Sequence, residues 1–268
     1  MAYDSLPKGL IGVVHLQGLP GDPAPGAGGF AGVGEAALRD ADALAEGGIR
    51  SVIIENFGSA PFPKGSAGDR LEPHVVAFMA LMTLDLRKRF DHVGVNCLRN
   101  DAQAAMGIAS ACGADFIRVN VHTGAYVTDQ GVIEGEAAAT LRYRQALGSS
   151  VRVVADVLVK HAAPLAPLTA TQATHEALDR GHASAVIVSG TGTGQPVDVA
   201  VLREVRAAAG DRPVWIGSGF APNNAAELVP HIDAAIVGTW LKEGGDVSKP
   251  VDPKRVRQLV EQYAQLSG

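Results

Sequence analysis

The chain predicts an α/β fold, a closed (β/α)8 barrel of the TIM type built as a single domain over residues 1–268. Three observations predict it: eight short apolar runs recur along the sequence, each is followed by a segment of helical spacing, and the last three runs break off into SGTGTG, GSG and VGT. Strict strand–helix alternation selects a parallel sheet, and eight such units are what closure requires. The length of 268 residues fits the roughly 250 residues that such barrels use as one unit. A doubly wound open sheet shares the alternation and stands as the alternative.

The first strand is LIGVVHL, from Leu10 to Leu16, followed by a Gly/Pro-rich loop and a helix that begins near Glu35 and stops at Gly47 and Gly48. The second strand, SVIIEN, ends at Asn56. After the loop FGSAPFPKGSAG comes a helix whose apolar face carries Val75, Phe78, Met79 and Met82. HVGVNC is the third strand, and Asn100 and Asp101 are N-cap residues for the helix behind it. DFIRVNV, VRVVADV, SAVIVSG, PVWIGSG and DAAIVGT complete the set, with helical segments near Glu134, Thr171, Val199, Asn223 and Pro253. Three long loops, QGLPGDPAPGAGGFAGVG, FGSAPFPKGSAGD and HTGAYVTDQGVIEG, all follow strands. They therefore share one face and read as a cover over a site.

Hydrophobic residues make up 47% of the chain and charged residues 19%, enough apolar content for a sizeable core. A formal charge of −5 disfavours nucleic acid and anionic lipid as partners. Two cysteines, Cys97 and Cys112, are too few for a disulfide framework and suit a reducing compartment. The apolar stretch from Leu10 is interrupted by His15 and is too short for a signal segment or a membrane span. A cytoplasmic protein with no membrane insertion is expected.

The carboxyl ends of all barrel strands converge on one face, so polar residues there mark function. His15 closes strand one, Glu55 and Asn56 strand two, and Asn96 strand three. Period-two alternation places Arg118, Asn120 and His122 on one side of strand four and Ile117, Val119 and Val121 on the other. Asp156 shares a face with Val154 and Arg152, which directs it toward the barrel axis near the mouth. The same cluster admits a purely structural reading, in which Arg118 pairs with Glu55 or Asp156 and nothing reacts.

Glycine turns bring backbone N–H groups close to an anion because no Cβ intervenes. Gly190, Thr191 and Gly192 follow strand six, Gly217, Ser218 and Gly219 strand seven, and Gly238 and Thr239 strand eight, the sector where barrels hold phosphate. The GTGTG string lacks the G-x-G-x-x-G spacing, which removes a dinucleotide cofactor. After strand five, Lys160 neutralises an anion or forms a Schiff base if burial and cationic neighbours depress its pKa, its position beyond the strand favouring the first role, and His161 is a proton shuttle. His15, His122 and His161 show no compact ligand spacing, so neither a metal nor another cofactor is expected.

The strings IGVVHLQGLPGDP, SVIIENFG, GVNCLRNDA, ADFIRVNV, TDQGVIEG, ADVLVKHA, AVIVSGTGTG, WIGSGF and AIVGT, in this order, resemble the BtpA/SgcQ family over nearly the whole chain. The resemblance implies a barrel similar to ribulose-phosphate-binding barrels. It also implies a divided functional label, one branch named for photosystem I accumulation and another, tied to sugar-utilisation genes, called a nucleosidase. It nominates His15, Glu55, Asn56, Asn96, Arg99, Asn120, Asp129, Asp156, Lys160 and His161. The insertion PAPGAGGFAG after GDP departs from the family pattern.

The expected activity is that of an enzyme on a small phosphorylated sugar or ribosyl compound, with hydrolysis, lysis and isomerisation all open. Glu55 and Asp156 are the acid and base, Asn96 and Asn120 orient hydroxyls or an oxyanion, and His15 moves a second proton. The alternative from another class is a non-catalytic photosystem I biogenesis factor with an exposed apolar docking patch on its helix layer. A phosphate-ligand sensor without turnover is a third. Apolar outer helices leave room for a homo-oligomer.

Overall fold

A computed structural model describes residues 6–190, 192 and 194–267. Its strands are β1 (Gly9–His15), β2 (Ser51–Glu55), β3 (His92–Asn96), β4 (Phe116–Val119), β5 (Ala125–Thr128), β6 (Gly131–Glu134), β7 (Arg152–Val157), β8 (Ala162–Pro164), β9 (Ala185–Val188), β10 (Val214–Ile216) and β11 (Ala234–Val237). The helices are α1 (Gly29–Glu46), α2 (Pro73–Arg87), α3 (Ala102–Cys112), α4 (Ala137–Ala146), α5 (Ala170–His175), α6 (Val199–Ala209), α7 (Ala225–Leu228) and α8 (Pro253–Ser267). Strands β1, β2, β3, β4, β7, β9, β10 and β11 close in that order into a parallel barrel. Closure, which alternation alone leaves open, is thereby decided.

Strand parity sorts the core into two shells. Ile11, Val13, Ile53, Phe116, Val154, Ile187, Trp215 and Ile236 pack inside the barrel. Val52, Ile54, Val93, Val95, Ile117 and Val119 join the outer core with residues of the helix layer. The interior is plugged by Phe116 edge-on to Trp215, with ring centroids 5.2 Å apart. A Cβ on Gly94 would stand 2.2 Å from the Phe116 ring. Gly94→Ala is therefore expected to destabilise the fold by about 1–3 kcal/mol through overpacking, a change read by equilibrium urea unfolding.

Several boundaries differ from the sequence reading. Strands end earlier, at Glu55, Val119, Val188 and Val237, because the polar and glycine tips leave the ladder to form loops. Helix α1 starts at Gly29, behind a left-handed Gly28, rather than near Glu35. Asp101 does cap α3, its side chain accepting from the Ala104 N–H at 2.9 Å. Glu134 lies in a strand and α4 begins only at Ala137.

The third long loop is not irregular. Its two halves form the hairpin β5–β6, and β8 pairs antiparallel with β5 on the other side. Tyr126 and Ile133 turn inward against Val121 and Val159, so this small sheet carries a core of its own. His122 is also corrected. The strand stops at Val119, the chain has left it by His122, and the imidazole Nε2 lies 2.8 Å from the Gly181 carbonyl oxygen. It lines a separate surface groove, away from Arg118 and Asn120.

Candidate functional site

The register of the first three strands aligns His15, Glu55 and Asn96 as neighbours at the barrel's carboxyl end. Arg118, from β4, points to the axis between them and Asp156 of β7. Its Nε and Nη2 donate to the two oxygens of Asp156, each at 3.0 Å, and Nη1 donates to Glu55 Oε1 at 3.3 Å. The arginine side chain is 3% exposed and the Asp156 side chain 0%. Such burial raises no conflict for Arg118, because the two carboxylates outweigh desolvation and hold its pKa above the ordinary value.

Asp156 is saturated. Besides both arginine bonds it accepts from Asn120 Nδ2 at 2.9 Å and from Ser189 Oγ at 3.3 Å. Asn96 Nδ2 in turn donates to Asn120 Oδ1 at 3.1 Å and to the Arg118 carbonyl at 3.0 Å, while Asn96 Oδ1 is buried with no partner among the described residues. Asn56 has a different task. It brackets the backbone of Leu98, donating to its carbonyl at 3.1 Å and accepting from its N–H at 2.7 Å. Asn100 clasps Val121 in the same manner, at 2.8 and 2.7 Å. These asparagines fix the loops that carry Arg99 and Asn120.

Two cavities meet at this network. The first is lined by His15, Glu55, Phe57, Arg118 and Lys160 on one side and by Gly194, Gly217, Ser218, Gly219, Gly238, Thr239 and Trp240 on the other. The second is lined by Phe57, Phe62, Asn96, Leu98, Arg99, Asn120, Asp129 and His161. Glu55, Phe57, Arg118 and Lys160 border both.

Of the expected glycine crescent, the tips of β10 and β11 line the first cavity. The Gly217 N–H is taken by the Val188 carbonyl at 2.9 Å. The following amides, of Ser218 and Gly219, meet no acceptor among the described residues, and the buried Ser218 hydroxyl is likewise unpartnered. Gly219, at φ +75, passes so close to Gln195 that a Cβ would collide with its carbonyl oxygen. Gly190 packs on the backbone of Gln195 in the same way, and neither it nor Gly192 lines either of these two cavities, while Gly194 lines the first. Thr191 lies outside the described residues.

Charge at the mouth is unusual. Among the described residues His15 Nδ1 has no partner, and Nε2 is 3.8 Å from Glu55 Oε2, beyond hydrogen-bond reach. Burial, reinforced by Lys242, Lys160 and Arg118, keeps its pKa well below the ordinary histidine value, so the ring is neutral. Burial also lowers Lys160, with Arg118 and Arg99 adding to it against Glu55 and Asp156, to about 8. Arg99 donates to the Lys160 carbonyl at 2.8 Å. His161 stands exposed at the rim, its pKa lowered by desolvation and by Lys160 and Arg99. Among the described residues no three His, Cys, Asp or Glu side chains converge as metal ligands. None of the described helices is long and apolar enough to cross a membrane.

Sequence reasoning missed three aromatic walls. Phe57 packs on the His15 ring with centroids 4.7 Å apart, and Trp240 is held by Arg255, whose guanidinium lies 4.3 Å from the indole. Phe57 and Phe62 belong to a loop recognised by its length, yet nothing local distinguishes an aromatic that lines a cavity from one that packs.

A family model described as BtpA family matches residues 6–265. The chain is 45% identical over 257 residues to "Photosystem I biogenesis protein BtpA" of Synechocystis sp., covering 96% of this chain and 88% of that one. It is 44% identical to an uncharacterized protein of Thermococcus kodakarensis, over 97% and 96% of the two chains. Among solved structures it is similar to thiamine phosphate pyrophosphorylase from Pyrococcus furiosus, with a TM-score of 0.58, 12% identity and 99% coverage of each chain. It is also similar to 3-hexulose-6-phosphate synthase from Salmonella typhimurium, with a TM-score of 0.56, 12% identity and coverage of 95% and 99%. At such identity these likenesses establish the barrel fold alone.

Proposed function

The chain belongs to the BtpA family, and from that premise we propose that it is an enzyme acting on a small phosphorylated sugar or ribosyl compound. One observation carries the reading: open amides and an unpartnered hydroxyl at the tip of β10, beside the tip of β11, face across one cavity a carboxylate, a neutral imidazole and a lysine. Barrels of the same fold carry phosphorylated compounds in their names.

In this proposal Ser218, Gly219, Gly238 and Thr239 hold the phosphate. The sugar extends toward the second cavity, where Asn96 Oδ1 accepts from a hydroxyl and Asn120 orients it. Glu55 borders both cavities and exchanges a proton with the substrate. His15, kept neutral by its surroundings, accepts a second proton through Nδ1 or Nε2. Asp156 is a positioning residue, because all its acceptor capacity is directed to Arg118, Asn120 and Ser189.

Calorimetry with inorganic phosphate and ribose 5-phosphate tests the crescent. A Cβ on Gly238 would stand 2.5 Å from His15 Cε1. Gly238→Val is expected to weaken binding of either probe by about tenfold or more, equivalent to about 1.4 kcal/mol. Equal affinity in both proteins removes the tip of β11 from the site.

A second reading takes the Synechocystis relative's name at its word and makes this chain a biogenesis factor for photosystem I. Phe30 of α1 and Leu81 and Leu84 of α2 are large apolar side chains exposed on the helix layer. Under it, Leu81→Arg abolishes photosystem I accumulation in a photosynthetic host while Glu55→Gln leaves it intact. The enzyme reading expects Leu81→Arg to keep turnover of a phosphosugar and Glu55→Gln to lose it.

A further inference from the structure

We propose that Lys160 is a nucleophilic amine that forms an imine with the carbonyl carbon of a phosphorylated aldose or ketose held in the glycine crescent. The inference deepens the phosphosugar reading and rests on it.

The other cations at the mouth are occupied. Arg118 is clamped by Asp156 and Glu55. Lys242, whose charge also acts on His15, is paired with Asp40. Arg99 donates to the Lys160 carbonyl. Lys160 is different: among the described residues its Nζ makes no ion pair or hydrogen bond, although the side chain is half-buried. It also borders both cavities, between the crescent and the asparagine-lined compartment. A lysine retained only to attract phosphate gains nothing from burial beside two arginines. That environment selects the neutral amine, which is the reactive form.

The groups that face it are Arg118, Glu55, Asp156 and Arg99, with His15 and His161 nearby. Burial together with the two arginines outweighs the two carboxylates. With a pKa of about 8, roughly one tenth of the amine is neutral at pH 7, against well under a thousandth for an ordinary lysine.

The step balances without any further reactant. The Nζ lone pair attacks the carbonyl carbon, the C=O π pair moves to oxygen, and that oxygen takes the proton released from nitrogen to give a carbinolamine. Protonation of the hydroxyl then expels water as the nitrogen lone pair forms the C=N bond. Glu55, on the wall common to both cavities, passes these protons. The imine withdraws electrons from the adjacent carbon, which supports either isomerisation or carbon–carbon cleavage at that position.

The test uses the whole protein with ribose 5-phosphate, ribulose 5-phosphate and dihydroxyacetone phosphate as probes. Each is added with borohydride, which delivers hydride to an imine carbon and leaves a stable secondary amine. At least one probe is expected to add the mass of its reduced adduct, confined to the peptide carrying Lys160, with inorganic phosphate suppressing it. Lys160→Arg is expected to lose the adduct while keeping its affinity for inorganic phosphate. Trapping is expected to rise with pH and level off above about 8 to 9, whereas an ordinary lysine continues to gain neutral amine up to about 10.4. Calorimetric binding of a probe with no adduct, or adducts spread over surface lysines such as Lys64, overturns the imine and leaves the phosphosugar reading standing. Absence of binding for every probe overturns both.

Discussion

Asp156→Ala is expected to destabilise the protein by about 3–5 kcal/mol, the range found when one partner of a buried ion pair is removed. The effect is large because the alanine leaves Arg118 in the barrel with only the 3.3 Å contact to Glu55, at a site where its side chain is 3% exposed. Asn120 Nδ2 and Ser189 Oγ lose their acceptor at the same moment. Equilibrium urea unfolding measures it. The double variant Arg118→Met, Asp156→Leu is expected to be more stable than either single change, since an uncompensated charge costs more than the missing pair. A loss below about 1 kcal/mol for Asp156→Ala would mean that Glu55 alone satisfies the guanidinium.

Glu55→Gln is expected to reduce turnover by about 10²–10⁴-fold, the range for removing a positioned acid or base, with little change in unfolding. The asymmetry comes from the network. Arg118 keeps both Asp156 bonds, and the glutamine oxygen still accepts from Nη1. Steady-state kinetics on the first substrate found by the phosphosugar screen reads the first part, and a thermal melt reads the second. Retained turnover in Glu55→Gln takes the proton transfer away from this carboxylate. Asp156→Asn provides the contrast: because that side chain is buried behind Arg118, its change is expected to act through geometry and stability together.

Much of this fold is written in local pattern. Alternation placed Ile117 and Val119 against the helices and Arg118 toward the axis, and both placements hold. The same rule still held at Asn120, one residue past the ladder, and failed at His122, where the chain has left the strand and the ring turns to the Gly181 carbonyl. The hairpin β5–β6 was hidden for another reason. Gly131 and Gly135 gave the segment the composition of a loop, while the pairing partner that stabilises it, β8, comes from beyond the next barrel strand.

For the glycine crescent, residue type was visible but use was not. Gly217, Gly219 and Gly238 line the first cavity and Gly190 does not, yet Gly219 and Gly190 alike leave no room for a Cβ against the chain at Gln195. A glycine required by a neighbouring strand of backbone and one required by a ligand look alike in a sequence.

What this sequence determined by itself is the order of eight strand–helix units, the face each strand side chain takes and the end at which polar tips collect, since all three follow from short-range periodicity and chain direction. Only the tertiary structure decided who pairs with whom. Arg118 lies 63 residues from Glu55 and 38 from Asp156, and closure of the barrel brings both carboxylates within reach of one guanidinium. That closure leaves Lys160 half-buried beside two arginines, without a carboxylate of its own among the described residues. Coulomb energy and desolvation depend on distances through space, and strand neighbours set those distances.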